Sequence, residues 1–129
     1  MTAERILVVE DNERNLKLIR DVLAFAGYDI IEAVSGEEGV ALAQECLPDL
    51  VLMDLQLPQM DGAEALRLLR ESPSTRAVPV VAVTAFAMKE DRERAFTAGF
   101  DGYLEKPISV RALPEQVRGF LDGKGSLNE

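Results

Sequence analysis

Short apolar runs alternate along the chain with stretches in which apolar residues recur every three or four positions. Ile6-Leu7-Val8-Val9 contains no polar position, the mark of a strand covered on both faces. Leu16, Ile19, Leu23 and Ala26 then fall at helical spacing, and Gly27 supplies a stop, so the pattern predicts a helix over about 12–26. Residues 28–33, rich in β-branched side chains, read as a second strand. Ser35 and Glu38 form a capping box in which each side chain satisfies a backbone donor at a helix start. Val40, Ala43 and Leu47 continue that helix, and Pro48 ends it. Leu50-Val51-Leu52-Met53 is a third strand closed by Asp54, and a loop carrying Pro58 follows. Asp61 and Glu64 cap a third helix whose inward residues are Ala65, Leu66 and Leu69.

Val80-Val81-Ala82-Val83 is the fourth strand, ending at Thr84. The fourth helix, about 89–98, has a thin apolar face and is expected to be the least firmly packed. Gly102-Tyr103-Leu104-Glu105 is a short fifth strand, followed at once by Lys106-Pro107. Leu113, Val117 and Leu121 define a last helix, in which Pro114 predicts an irregular first turn. The expected organisation is one domain over 1–122 and a flexible polar tail over 123–129.

Five strand–helix pairs with short connections imply an α/β fold, a doubly wound parallel sheet with helices on both faces. Ligands in such sheets bind beyond the carboxyl ends of the strands. The residues there are Glu10 and Asp11 after the first strand, Asp54 after the third, Thr84 after the fourth and Lys106 after the fifth. Three carboxylates within ~4 Å of one another repel by several kcal/mol at an effective dielectric near 20, and a hard divalent cation relieves that repulsion. Mg²⁺ takes oxygen ligands and often bridges to a phosphate. A carboxylate can attack phosphorus to form an acyl phosphate. The transfer needs alignment and charge neutralisation more than a general base, because Asp54 is already ionised. Lys106 would pair with Asp54 or with a phosphoryl oxygen, Thr84 would donate a hydrogen bond, and the backbone N–H groups after Asp54 and after Thr84 (that of Ala85) would add further donors.

Composition narrows the choice. Among 129 residues there is no His, which removes His-based catalysis, His metal ligands and a phosphohistidine-carrier role. Fourteen basic against 23 acidic residues give a net charge of −9, which disfavours direct nucleic-acid binding. The single Cys46 forms no intrachain disulfide, and no signal peptide is visible, so a cytoplasmic location is expected. The most apolar stretch, 78–88, is too short for membrane insertion. Singly, each site residue has an ordinary alternative. Glu10 and Asp11 could cap a helix, Asp54 could be a turn residue, and Lys106 could be a solvated surface side chain. Their joint occurrence at four strand ends weighs against coincidence. Cys46 reads as a small buried apolar residue, and Phe86 as packing or partner contact.

Val8-Val9-Glu10-Asp11-Asn12, Met53-Asp54, Pro58-Gln59-Met60-Asp61-Gly62, Val83-Thr84-Ala85 and Tyr103-Leu104-Glu105-Lys106-Pro107 together resemble the receiver domains of two-component response regulators, in that family's order and spacing. The resemblance implies a flavodoxin-like strand order 2-1-3-4-5. It implies Asp54 as phosphoacceptor, and Mg held by Asp11, Asp54 and the carbonyl of Gln56, with Glu10 acting through water. It also implies Thr84 and Lys106 as holders of the phosphoryl group, Tyr103 as a switch aromatic that turns inward when Thr84 moves, and a cis peptide between Lys106 and Pro107.

The chain is therefore expected to act as a stand-alone regulator resembling the cell-division type. It would take its phosphoryl group from a histidine kinase or histidine phosphotransfer protein. It would signal to a downstream protein through the surface of the fourth helix, fifth strand and fifth helix, where a homodimer would also fit. As an enzyme it would do no more than phosphorylate itself from small donors and slowly lose the phosphate. Three other classes are weighed. An aspartyl-nucleophile phosphatase would want an acid where Gln56 stands. An unphosphorylated adaptor would not need the intact set of Asp54, Asp11, Thr84 and Lys106. A flavin site would need Ser, Thr and Gly after the first strand, where this chain has Glu10-Asp11-Asn12.

Overall fold

The computed structural model describes residues 3–85 and 88–123, so Phe86 and the tail beyond Gly123 lie outside the described residues. The elements follow one another as β1 (Arg5–Val9), α1 (Glu13–Phe25), β2 (Asp29–Ala33), α2 (Gly36–Cys46), β3 (Leu50–Asp54), α3 (Gly62–Glu71), β4 (Val80–Thr84), α4 (Lys89–Ala98), β5 (Gly102–Glu105) and α5 (Leu113–Leu121). The strands form one parallel sheet in the order β2-β1-β3-β4-β5. The chain reverses its direction of travel across the sheet after β2, so the crevice of a doubly wound sheet opens at the carboxyl ends of β1 and β3.

The apolar runs of β1, β3 and β4 are buried throughout, apart from Arg5 at the start of β1, because helices cover both sides of them. Side chains alternate between two cores. Leu7, Val9, Val51, Met53, Val80 and Ala82 pack with α2, α3 and α4. Ile6, Val8, Leu50, Leu52, Val81 and Val83 pack with α1 and α5 through Leu16, Ile19, Leu23, Leu113 and Val117. Each fully buried aliphatic side chain contributes about 1.5–3 kcal/mol relative to exposure, so these two layers hold the sheet rigid beneath its rim.

Helix starts follow the side-chain caps. Asn12 Oδ1 accepts the N–H of Asn15, Ser35 Oγ that of Glu38, and Asp61 Oδ1 that of Glu64. Three local expectations are corrected. Leu47 does not extend the apolar face of α2; it ends the helix in left-handed geometry with its side chain 55% exposed, because Pro48 bars it from a further helical turn. Pro114 causes no irregularity, since it falls in the first turn of α5, where a missing N–H leaves no bond unmade. Cys46, at the end of α2, is only half-buried.

α4 buries Ala95 alone, and its first turn has no side-chain cap. Its far end is better held: Arg70 of α3 donates to the carbonyl oxygens of Val78 and Gly99 and to Asp101 Oδ2, and Phe100 is buried. Among the described residues no helix is long and apolar enough to cross a membrane.

Candidate functional site

The alternation that builds the two cores also aims the rim residues. Glu10 continues the Ile6, Val8 side of β1, Asp54 the Leu50, Leu52 side of β3, and Lys106 the Leu104 side of β5. All three therefore emerge toward the α1/α5 side of the sheet. Thr84 continues the Val80, Ala82 side of β4, toward α4.

One carboxylate oxygen from each of Glu10, Asp11 and Asp54 lies within 4.8 Å of the others. Glu10 and Asp54 are only 1% and 2% exposed, whereas Asp11 faces solvent. Lys106 reaches past β4 to place Nζ 3.1 Å from Asp54 Oδ2, to which it donates, and 3.0 Å from Glu10 Oε1. Asp54 Oδ1 accepts the N–H of Gln56 at 2.9 Å, and Glu10 Oε2 accepts that of Asn12 at 3.1 Å. Asp54 is thus held at both oxygens. Glu10 Oε1 pairs with the ammonium by proximity, but without the alignment of a hydrogen bond, and is left buried with no hydrogen-bond donor.

Three carboxylates face one ammonium, so with all groups ionised two negative charges stay uncompensated. The molecule registers the strain at Glu10. Burial, reinforced by its contact with Asp54, pushes its carboxyl from the usual 4.5 up to about 7. For Lys106, burial pulls the ammonium down, but the contacts with Glu10 and Asp54 outweigh it and raise the pKa overall. Hard oxygen donors, one of them buried without a hydrogen bond, and excess negative charge fit a hard divalent cation such as Mg²⁺.

Thr84 is fully buried at the end of β4 and forms part of the wall of a cavity of about 420 Å³ between α3 and α4, with Gln56, Asp61, Asp91 and Phe100. Ala85 follows it, exposed. The Gln56 side chain is exposed. The Lys106–Pro107 peptide is cis. Tyr103 packs against the α2/α3/α4 core, with the Arg92 guanidinium carbon 6.0 Å from its ring centroid. Its hydroxyl is buried with no hydrogen-bond partner among the described residues. Burial, then the carboxylates of Asp91 and Glu105, raise its pKa. An unpartnered buried hydroxyl gains nothing from folding, so Tyr103→Phe is expected to leave stability unchanged or raise it by up to about 1 kcal/mol in urea unfolding. A loss of more than about 1 kcal/mol would mean that the hydroxyl is bonded in solution.

The contact between Glu10 and Lys106 was not anticipated from the sequence. Its signal was the strand alternation, which sets positions 10, 54 and 106 on one side of the sheet.

Comparison with known proteins agrees with this geometry. Residues 6–118 match the response regulator receiver domain family. The polar-differentiation response regulator DivK of Brucella ovis is 47% identical over 116 residues, covering 90% of this chain and 94% of that protein. Among solved structures, the receiver domain of a sensor histidine kinase from Pseudomonas aeruginosa PAO1, with a magnesium ion coordinated in its active-site cleft, superposes with a TM-score of 0.86 at 35% identity, covering 94% of this chain and 99% of that one. A response regulator from Chloroflexus aurantiacus gives a TM-score of 0.88 at 30% identity, with the same coverage. A sheet order, an acidic rim and a sequence match over most of the chain agree, and this protein belongs to the response regulator receiver domain family.

Proposed function

We propose that Asp54 accepts a phosphoryl group from the phosphohistidine of a histidine kinase or histidine phosphotransfer protein, and that the chain then signals through protein contacts. The observation that carries this reading is the state of Asp54. It is buried, held at Oδ1 by the Gln56 N–H and at Oδ2 by Lys106, and lies beside Glu10 and Asp11. A carboxylate fixed at both oxygens loses little freedom on reaching the transition state.

In the transfer, an Asp54 carboxylate oxygen attacks phosphorus, the P–N bond to the donor histidine breaks, and the imidazole keeps the electron pair and takes a proton from solvent. Asp11, Asp54 and the carbonyl of Gln56 would hold Mg²⁺, with Glu10 acting through water. When bound, the cation neutralises charge on the phosphoryl oxygens. Lys106 exchanges its Asp54 contact for a phosphoryl oxygen, and the Thr84 hydroxyl and Ala85 N–H take the others. The side chain of Gln56 has no acidic proton for a leaving group, which supports a phosphoacceptor over a phosphatase with turnover.

Drawing Thr84 toward the phosphoryl group changes the wall that it shares with α4. That helix buries one residue, and its Arg92 lies over Tyr103. The surface of α4, β5 and α5 is therefore the output face, a small population shift between two packings. The net charge of −9 favours a target with a basic or apolar docking patch, and a second copy of the chain fits the same face. The 47% identity to the polar-differentiation response regulator DivK supports a regulator of that kind.

The direct test is intact-mass measurement after mixing the protein with acetyl phosphate and Mg²⁺. One added phosphate is expected, and none in EDTA. Failure to label with Mg²⁺ present, from acetyl phosphate and from a phosphorylated histidine phosphotransfer protein alike, would refute the reading.

A further inference from the structure

We propose that Gly36 and Gly62 are positioning residues for the Asp54 site, setting the backbone of the 55–61 loop from its two ends. The proposal rests on the reading of Asp54 as phosphoacceptor. Both glycines occupy the same place in their helices, the first helical position after a side-chain cap, Ser35 for α2 and Asp61 for α3. Neither has a positive φ; among the described glycines only Gly27, Gly99 and Gly123 do. Backbone conformation therefore gives no reason for glycine at 36 or 62, where alanine is the better helix former.

Space gives the reason. A Cβ on Gly62 would stand 2.8 Å from the carbonyl oxygen of Asp54, 2.9 Å from Leu55 Cδ2 and 3.0 Å from Leu55 Cα. A Cβ on Gly36 would stand 2.9 Å from the carbonyl oxygen of Met60. A side chain can turn away from such a contact by changing rotamer, but main-chain atoms cannot. The start of α3 is thus seated on the peptide that follows Asp54, and the start of α2 on the far end of the same loop. The loop has little slack between them. Gly62 donates to the Leu55 carbonyl at 3.4 Å, Met60 to that of Pro58 at 2.7 Å, and Gln59 is held at a φ of 66°.

A methyl group at 62 must displace the Asp54–Leu55 peptide. That moves both the Asp54 carboxylate and the Gln56 N–H that orients it. A methyl group at 36 pushes four residues beyond Gln56 and acts more weakly. Gly62→Ala and Gly36→Ala are to be compared with wild type in the full chain. Mg²⁺ affinity is measured by calorimetry, the labelling rate with acetyl phosphate at saturating Mg²⁺, and stability by urea unfolding in EDTA.

A displacement of a few tenths of an ångström is expected to lower both affinity and rate by about tenfold for Gly62→Ala and by roughly two- to threefold for Gly36→Ala. Leu69→Val, which loosens the buried face of α3 away from the rim, should lose stability while keeping wild-type affinity and rate. Wild-type Mg²⁺ affinity and labelling in Gly62→Ala would overturn the proposal, as would equal losses in Leu69→Val. If Gly62→Ala does not fold, Gly36→Ala decides, and unchanged Mg²⁺ affinity there overturns the proposal. If wild type binds Mg²⁺ but is not labelled, the phosphoacceptor reading alone fails, and the calorimetry still decides the glycines.

Discussion

Asp54→Asn is expected to abolish labelling by acetyl phosphate and to raise, not lower, the melting temperature of the metal-free protein. The first effect follows because an amide oxygen is a far weaker nucleophile than a carboxylate, and among the described residues no second buried carboxylate is held at both oxygens as Asp54 is. The second follows from which charges Asp54 faces. At an effective dielectric near 20, two carboxylates within 4.8 Å repel it by about 3 kcal/mol each, and the ammonium at 3.1 Å attracts it by about 5 kcal/mol. Solvent weakens the term from exposed Asp11, so the net gain on replacement is about 1 kcal/mol, or a few degrees. Lys106 keeps Glu10 as its partner at 3.0 Å, so the ammonium is not left alone. Differential scanning calorimetry in EDTA, with intact-mass analysis, checks both effects. Labelling that persists at another residue of the variant would refute Asp54 as the acceptor, and a sharp fall in melting temperature would refute a crowded acidic rim.

Lys106→Met should have the opposite sign and a larger size. It leaves Glu10 and Asp54 buried without their cation, and breaking a buried pair in this way costs about 3–5 kcal/mol. The loss should depend on pH. The folded-state pKa of Glu10, about 7, stands above its usual 4.5, so the fold favours the protonated carboxyl. Its contribution to metal-free stability is complete below the unfolded value near 4.5 and is lost as pH rises through about 7. Removing the ammonium takes away an interaction that lowers the pKa of Glu10, so in the variant the decline still begins near 4.5 but continues to higher pH and removes more stability. Urea unfolding in EDTA should therefore show a large deficit at pH 8 and a much smaller one at pH 5, and Mg²⁺ should recover part of the deficit at pH 8. An equal deficit at both pH values would assign the loss to packing of the lysine stem instead of its charge.

The elements were legible wherever local chemistry dominates. Uninterrupted runs such as Ile6-Leu7-Val8-Val9 and Val80-Val81-Ala82-Val83 admit few alternatives to buried parallel strands, and Asn12, Ser35 and Asp61 mark helix starts by hydrogen bonds made within three residues. The thin apolar face of α4 likewise foretold a helix that buries only Ala95. Leu47 and Pro114 were misread because each was judged by its place in an apolar pattern. Whether Leu47 is the last helical residue or the cap, and whether Pro114 falls at the first turn or inside, depends on where the helix begins and ends, by a margin of one or two residues.

For the site, the sequence determined which groups stand at the rim. Glu10, Asp11, Asp54, Thr84 and Lys106 each follow an apolar run, and strand ends in a doubly wound sheet meet on one edge. Only the tertiary structure decided how those groups share one another. That Lys106 lies between Glu10 and Asp54, that Glu10 Oε1 is buried without a hydrogen bond, and that the Tyr103 hydroxyl has none are matters of strand register and side-chain reach across three strands. The tight seats of Gly36 and Gly62 belong to the same class. Local patterns fix which way a side chain leaves the backbone. Distances of 3 Å between residues more than forty positions apart arise only when helices and sheet are packed, because they are set by the sum of many contacts and not by any one segment.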